Sequence, residues 1–311
     1  MNKNIVITKK TPMANPVLLA AWPGMGNVAL GCVDYLRQQT QAQFCAEIDI
    51  RGYVTPEFVF AEHGLAQLPH PPRNYFYCVE NPPLLLFESE SHLSGEQGVR
   101  LIHDVIDYCR EMNVRQILTG AAFALPASHR EPSHVYGVAT SESLLEQFPL
   151  YSIEAMEEGP ISGLNGLLVG YAKEAGIEAM CLLATMPVYA VNFPNPKASK
   201  ALVETFAKLI GITVDLKPID AAVADMESKL ELIEQNLKGV LPEKEGKEAA
   251  DGTAFDDQGK VPSHVIDKIE KLFHETKLDK SKAVALKEEL DRWSLYKMYE
   301  DRFLSLFKEK Q

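Results

Sequence analysis

Cysteine is scarce in this chain of 311 residues. Cys32, Cys45, Cys78, Cys109 and Cys181 each stand alone in an apolar run, an odd total without a C-x-x-C pair. The pattern argues against a disulfide framework and for buried, reduced thiols in a cytoplasmic protein. The eight histidines show no H-E-x-x-H or other metal-ligand spacing, so no metal site is expected. No lysine completes a Walker A motif after a glycine pair, and no cofactor is expected. Basic residues are also in deficit, 31 Lys and Arg against 43 Asp and Glu for a net charge of −12. A body this acidic repels phosphodiester backbones and anionic headgroups, so neither nucleic acid nor a membrane surface is expected as the main partner. No apolar run approaches the length of a membrane span. The opening from Met1 to Lys10 places charge on both sides of a short apolar run and is not expected to act as a signal segment.

What is present suits a globular protein. Hydrophobic residues at 46% and charged residues at 24% supply enough apolar surface to offset chain entropy. The length fits one domain of roughly 200 to 250 residues with an appendage, or two domains. Two glycine-rich turns stand out. The first follows the apolar run from Val17 and reads Trp22-Pro-Gly-Met-Gly-Asn27; the second, Gly159-Pro-Ile-Ser-Gly-Leu-Asn-Gly166, lies far down the chain. Each opens an amphipathic helix, whose first turn carries unpartnered N–H groups at the positive end of the macrodipole. Glycine there lets an anion or another backbone come close. Gly24, Met25, Gly26, Asn27, Ser162, Gly163 and Asn165 are therefore candidates for binding a small anion or ligand, provided that both turns meet on one rim of one sheet. Met25 and Leu164 on opposite sides of the molecule would remove such a pocket.

Hydropathy patterning predicts a strand over 16–22, a helix over 27–39 and a strand over 43–51, an opening that favours a parallel strand pair with a right-handed crossover. Strands over 52–60 and 74–79 suggest an antiparallel excursion. A strand over 84–87 precedes a helix that Ser94 and Gln97 introduce as a capping box. Further strands are expected over 114–119, 134–139 and 177–184, and helices over 141–147, 161–175, 197–210 and 215–237. Asn195 caps the helix that begins at Pro196. The alternation implies an α/β fold, a three-layer α/β/α sandwich with a mixed, largely parallel sheet. Residues 1–238 are expected to form this domain, 239–261 a linker poor in apolar residues, and 262–311 a helical extension. In the extension Leu286, Leu290, Trp293, Tyr296, Tyr299, Phe303, Leu306 and Phe307 recur at helical spacing.

Several motifs have competing readings. Gly24 to Ala29 satisfies G-x-G-x-x-A after a strand, with Glu47 or Asp49 about 20 residues on, as a dinucleotide fold requires. Against this, Pro23 stiffens the turn and the segment after Arg51 reads as hairpin strands. Ser162 lacks the flanking glycines of a nucleophile elbow and is read as a helix-starting residue, so no catalytic residue is assigned. His129, Arg130 and Glu131 form the best polar cluster, in a loop after a buried strand, where α/β ligand sites form; a solvated loop is the favoured reading. The apolar, proline-rich stretch from Thr185 to Pro196 either packs on the body or forms a subunit contact. Pro187, Tyr189, Phe193 and Pro194 are its interface candidates.

Trp22-Pro-Gly-Met-Gly-Asn-Val28, Gly159 to Leu168 and the stretch from Tyr189 to Ser199, ending Asn-Pro-Lys-Ala-Ser, together resemble the proteasome assembly chaperone 2 family over approximately residues 15 to 240. The resemblance implies a nucleoside-phosphorylase-like α/β/α fold and members that self-associate; for this chain it implies a homo-oligomer, expected as a trimer. It also implies a chaperone-like role, with proteasome subunits or another protein client as partner. Archaeal members that engage the proteasome end in a hydrophobic-Tyr-X tail, whereas this chain ends Leu306-Phe-Lys-Glu-Lys-Gln311, so docking through such a tail is not expected. The first reading is thus a non-enzymatic homo-oligomeric scaffold. The second is a phosphorylase-like or hydrolase-like enzyme, or an anion- or nucleotide-binding protein, that uses the two glycine turns with Asn27, Asn165 or Glu142 orienting the ligand.

Overall fold

A computed structural model describes residues 4–9, 12–56 and 58–238 and scattered positions from Ile269 to Phe303. The chain divides into two units, Met1–Ala254 and Phe255–Gln311. The first unit contains, in chain order, β1 (Ile5–Ile7), β2 (Val17–Ala21), α1 (Val28–Gln39), β3 (Gln43–Ile48), β4 (Phe60–Glu62), β5 (Leu65–Gln67), β6 (Asn74–Val79) and β7 (Leu84–Ser89). There follow α2 (Gly95–Glu111), β8 (Gln116–Leu125), β9 (Val135–Ala139), α3 (Glu142–Leu145), β10 (Ile153–Ala155), α4 (Gly163–Glu174), β11 (Glu178–Pro187), α5 (Pro196–Ile210) and α6 (Lys217–Lys238).

Nine strands form one mixed sheet in the order β1-β3-β6-β7-β2-β8-β11-β9-β10. At its centre β7, β2, β8 and β11 run parallel. Helices cover both faces. Leu101, Ile102 and Val105 of α2 and Leu164 and Leu168 of α4 pack with Leu18, Ile117 and Cys181 on one face. Val28, Cys32 and Leu36 of α1 and Leu202 and Phe206 of α5 pack with Leu19, Leu118 and Leu182 on the other, as do Ile219 and Leu230 of α6. A strand covered on both faces needs apolar residues at every position, and β2 is buried throughout. The result is the α/β/α sandwich.

The opening β2–α1–β3 does not form a parallel neighbour pair, because β7 and β6 lie between β2 and β3. The run Leu84 to Phe87 is buried on both faces and claims the place beside β2, whereas β3 begins exposed and suits an antiparallel flank. Glu47 and Asp49 are therefore three strand spacings from β2, about 14 Å, which removes the dinucleotide geometry. None of the described residues in 52–59 lies in a strand; the chain turns at Ile50, whose carbonyl accepts from Tyr53 and Val54. In place of that strand, β4 and β5 make a separate two-stranded arm. Its two-residue loop, His63 and Gly64, has φ +49° and +81°, the positive pair that a type I′ hairpin requires. The capping box is also overturned: Gly95 enters α2 at φ +56°, and Ser94 offers its carbonyl to Gly98 while its hydroxyl makes no cap bond. Asn195 does cap α5, accepting from Ala198 at 2.9 Å.

Two cysteines depart from the expected reduced state. Cys45 and Cys78, 33 residues apart, form a disulfide between β3 and β6 with their Cα atoms 6.1 Å apart. A bulge between Phe44 and Ala46 shifts the register there, a pairing that separation along the chain cannot disclose. Cys32, Cys109 and Cys181 are free and buried. Burial pushes the Cys32 and Cys109 thiols well up and Cys181 to about 12.

In the second unit Ile269, Phe273, Leu286, Leu290 and Phe303 are buried. Trp293, Tyr296, Tyr299, Leu306 and Phe307 of the expected stripe, and the expected linker, lie outside the described residues.

Candidate functional site at the strand ends

Because β7, β2, β8 and β11 are parallel, their C-terminal ends share one rim, the usual place for function in an α/β sheet. The first glycine turn leaves β2 there. The loop 126–134 leaves β8, and the stretch 188–195 leaves β11.

Asn165, in the first turn of α4, joins the second glycine motif to this rim. Its Oδ1 accepts from the Trp22 N–H at 3.0 Å and from Thr119 Oγ1 at 3.3 Å, and its Nδ2 donates to the Trp22 carbonyl at 3.2 Å. A buried amide side chain thus stands in for a strand neighbour where β2 ends. The two turns reach that end from different faces: Met25 packs with the α1/α5 layer and Leu164 with the α2/α4 layer. Asn165 acts as the clamp between them.

The first turn is occupied by the protein itself. Gly26, at φ +60°, donates its N–H to the Val191 carbonyl at 2.8 Å and accepts from the Asn195 N–H at 2.9 Å. A Cβ on Gly26 would stand 3.0 Å from Met186 Cε and 3.2 Å from Asn195 Cβ. The Asn27 N–H donates to the Gly24 carbonyl at 2.9 Å. Glycine here allows close approach of the stretch after β11, so that strand and turn fix each other. Gly24 and Met25 are half-buried, and Asn27, at φ +46°, is exposed. Ser162 is exposed at the N-cap of α4 and makes no side-chain cap bond; Gly163 follows at φ +78° and is half-buried.

Of the interface candidates, Pro187 is buried and Tyr189 half-buried, while Phe193, 43% exposed, and Pro194 face solvent together with Val188. The stretch therefore does both things expected of it in part: its ends pack inward and its tip presents apolar side chains.

A cavity of about 60 Å³ opens between the ends of β8 and β11, the loop 126–134 and α6. It is lined by Thr185, Pro187, Lys197 and Glu227 and by His129 and Glu131, and by none of the seven glycine-turn candidates. His129 is buried; the Tyr189 hydroxyl accepts from its backbone N–H at 3.0 Å and lies 3.2 Å from Nδ1. Lys197 Nζ donates to the His129 carbonyl and to Glu227 Oε1, each at 2.6 Å. Arg130 pairs with Glu231 at 2.7 Å. The cluster thus ties the loop to α5 and α6 and is not simply solvated. Lys197 and Glu227 were not candidates from sequence; the Asn-Pro-Lys start of α5 was the available signal. Among the described residues no group of His, Cys, Asp or Glu is arranged to hold a metal ion. No described helix is long and apolar enough to cross a membrane.

Residues 18–234, which contain every element of this rim, match the model of the PAC2 family. The chain belongs to the PAC2 family. This PAC2 chain is 24% identical over 258 residues to an uncharacterized protein of Methanocaldococcus jannaschii, covering 78% of this chain and 93% of that protein. Among solved structures it is similar to Pyrococcus furiosus PbaB, an archaeal proteasome activator, with a TM-score of 0.63 at 22% identity, covering 74% of this chain and 98% of PbaB. P. furiosus PbaA, an archaeal homologue of proteasome-assembly chaperone, gives 0.60 at 18% identity, with 76% and 94% covered. A proteasome-assembly chaperone homologue from Mycobacterium tuberculosis gives 0.59 at 21% identity, with 71% and 96% covered. These likenesses establish the shared PAC2 fold.

Proposed function

We propose that this PAC2 protein is a non-enzymatic, chaperone-like scaffold of the cytoplasm that self-associates, with a trimer as its expected unit, and binds a protein client at the strand-end rim. Proteasome subunits are the leading client class, by analogy with the relatives named as proteasome activators and assembly chaperones. The observation that carries the proposal is the use made of Gly26. Its N–H and carbonyl both hold the stretch after β11, and that stretch turns Val188, Phe193 and Pro194 to solvent. A turn engaged in this way supports an apolar contact surface in preference to an anion site.

The test is binding of the full chain to the proteasome α-subunits of its host, measured by co-sedimentation with and without Phe193→Asp. Binding that the substitution abolishes is the expected result. No binding by the wild type, or binding indifferent to Phe193, overturns the reading of this rim. A calorimetric titration with inorganic phosphate is expected to show no saturable heat at millimolar concentration; saturable binding lost in Gly163→Val would instead favour the ligand-binding reading.

A further inference from the structure

The cavity between the ends of β8 and β11 is lined by hydrogen-bonding capacity that the fold leaves unused. Asn195 lines it and is 5% exposed. Its Oδ1 accepts from the Ala198 N–H, while its Nδ2 donates to no described residue. Among the described residues Trp22 Nε1 is the one side-chain atom sealed away without a partner, so Asn195 Nδ2 touches open space, and the cavity is the space that Asn195 lines. Thr185, 8% exposed, accepts at Oγ1 from the His134 N–H at 2.8 Å, and its hydroxyl donates to no described residue. Lys197 Nζ uses two of its three protons, on the His129 carbonyl and on Glu227 Oε1. Buried donors without an acceptor are unfavourable, and an acceptor placed in the cavity relieves them. Acceptors stand in the same wall: Glu227 and Glu131 each engage one carboxylate oxygen, with Lys197 and with the Ser128 N–H, and the second oxygen of each meets no described donor.

We propose that this cavity is a socket for a primary amide, the side chain of an Asn or Gln on the protein client. An amide offers its carbonyl oxygen to Asn195, Thr185 and Lys197 and its NH2 to the two carboxylates, so that donors and acceptors of the wall are met together. Other groups fit less well. One ammonium, Lys197, faces two carboxylates here, so an incoming carboxylate or phosphate gains no net attraction. An incoming ammonium leaves the donors unpaired, and an aliphatic group leaves donors and acceptors alike unpaired. A volume of about 60 Å³ has room for roughly four heavy atoms, the size of an amide on one methylene, and Met186, Val223 and Met226 supply apolar wall for the stem. A free ligand of that size makes too few contacts to bind tightly, so the amide belongs to a longer chain that is held elsewhere as well. Pro187 and Asn195 flank the stretch that presents Val188, Phe193 and Pro194, and both line the cavity, which sets the socket at the base of the proposed client surface.

The source of the amide rests on the proposed function, whereas the socket itself is tested without a client. Acetamide is the probe, titrated into the full chain carrying isotope-labelled methionine methyl groups and followed by NMR. Saturable shifts at Met186 and Met226, assigned through their Leu variants, are expected at millimolar acetamide, with acetate weaker by about tenfold. Met226→Trp fills the cavity from α6 and should abolish the Met186 shift and weaken co-sedimentation with the proteasome α-subunits by about tenfold, while Met226→Leu leaves both as in the wild type. Val223→Phe is a second plug from the same helix, read in the same way if Met226→Trp fails to fold. No saturable shift with acetamide, or equal shifts with acetate, overturns the socket and leaves a cavity filled by water only. Acetamide binding in the wild type, with client binding indifferent to a folded plug, overturns the client as source of the amide. A wild type that binds no client overturns the proposed function and that source together, and the acetamide shifts still decide the amide site.

Discussion

Val17–Ala21, at the centre of the sheet, and Phe58–Leu68, in the arm, are both rich in apolar side chains, yet every residue of β2 is buried while five large side chains of the arm are at least 56% exposed. The difference lies in neighbours. β2 has a parallel strand on each side and a helix layer on each face; among the described residues β4 and β5 pair only with each other. Apolar content alone thus does not fix burial, and topology decides whether the chain's own body covers it or leaves it exposed.

Substitutions along this gradient should give effects that shrink from centre to arm. Leu19→Ala removes a fully buried side chain from β2 and is expected to cost about 2–5 kcal/mol in denaturant unfolding. A cost below 1 kcal/mol would mean that the centre is not a packed core. Asn165→Ala leaves the Trp22 N–H and carbonyl and the Thr119 hydroxyl without their partner and should cost about 2–4 kcal/mol, measured in the same way. Should Asn165→Ala prove neutral, the clamp between the two glycine motifs has no energetic content. Gly26→Ala forces a Cβ into a left-handed conformation against Met186 and Asn195, for about 1–3 kcal/mol, and hydrogen exchange at residues 188–195 should accelerate. Leu65→Ser in the arm is expected to change unfolding of the body by less than about 0.5 kcal/mol, and a larger loss would place the arm in the core.

The smallest effect concerns thiols. Folded, unreduced protein should show no rapid reaction with a thiol reagent at neutral pH, because burial holds Cys181 at about 12 and raises Cys32 and Cys109 as well. Denatured protein should show three thiols without a reductant and five with one, since Cys45 and Cys78 are joined. Five before reduction would rule out the bond.

Much of the first unit was legible locally. The buried run of β2, the Asn195 cap, the amphipathic helices α2 and α5 and the two glycine turns follow from periodicity and cap chemistry, which act within a few residues. Strand neighbours were less so: β7 displaced β3 from the side of β2 because burial on both faces outranks adjacency in the chain. The arm's strands fell short of the expected 52–60 because the turn at Ile50 and the His63-Gly64 hairpin moved pairing to 60–67. Asn165 was singled out for its place in a glycine motif, but its role as a clamp depends on Trp22, 143 residues away.

By itself the sequence determined the α/β alternation and the two places where backbone can be approached closely, because these depend on residue type and local spacing. Only tertiary structure decided the rest. Gly31 is small because Ser199 of α5 lies over it, 2.7 Å from where a Cβ would be, while its hydroxyl bonds the Val28 carbonyl at 3.0 Å. Gly26 faces the stretch after β11, and Cys45 faces Cys78, for the same reason. Contacts between distant segments are set by which strand packs beside which, and that choice minimises exposed apolar surface over the whole chain at once.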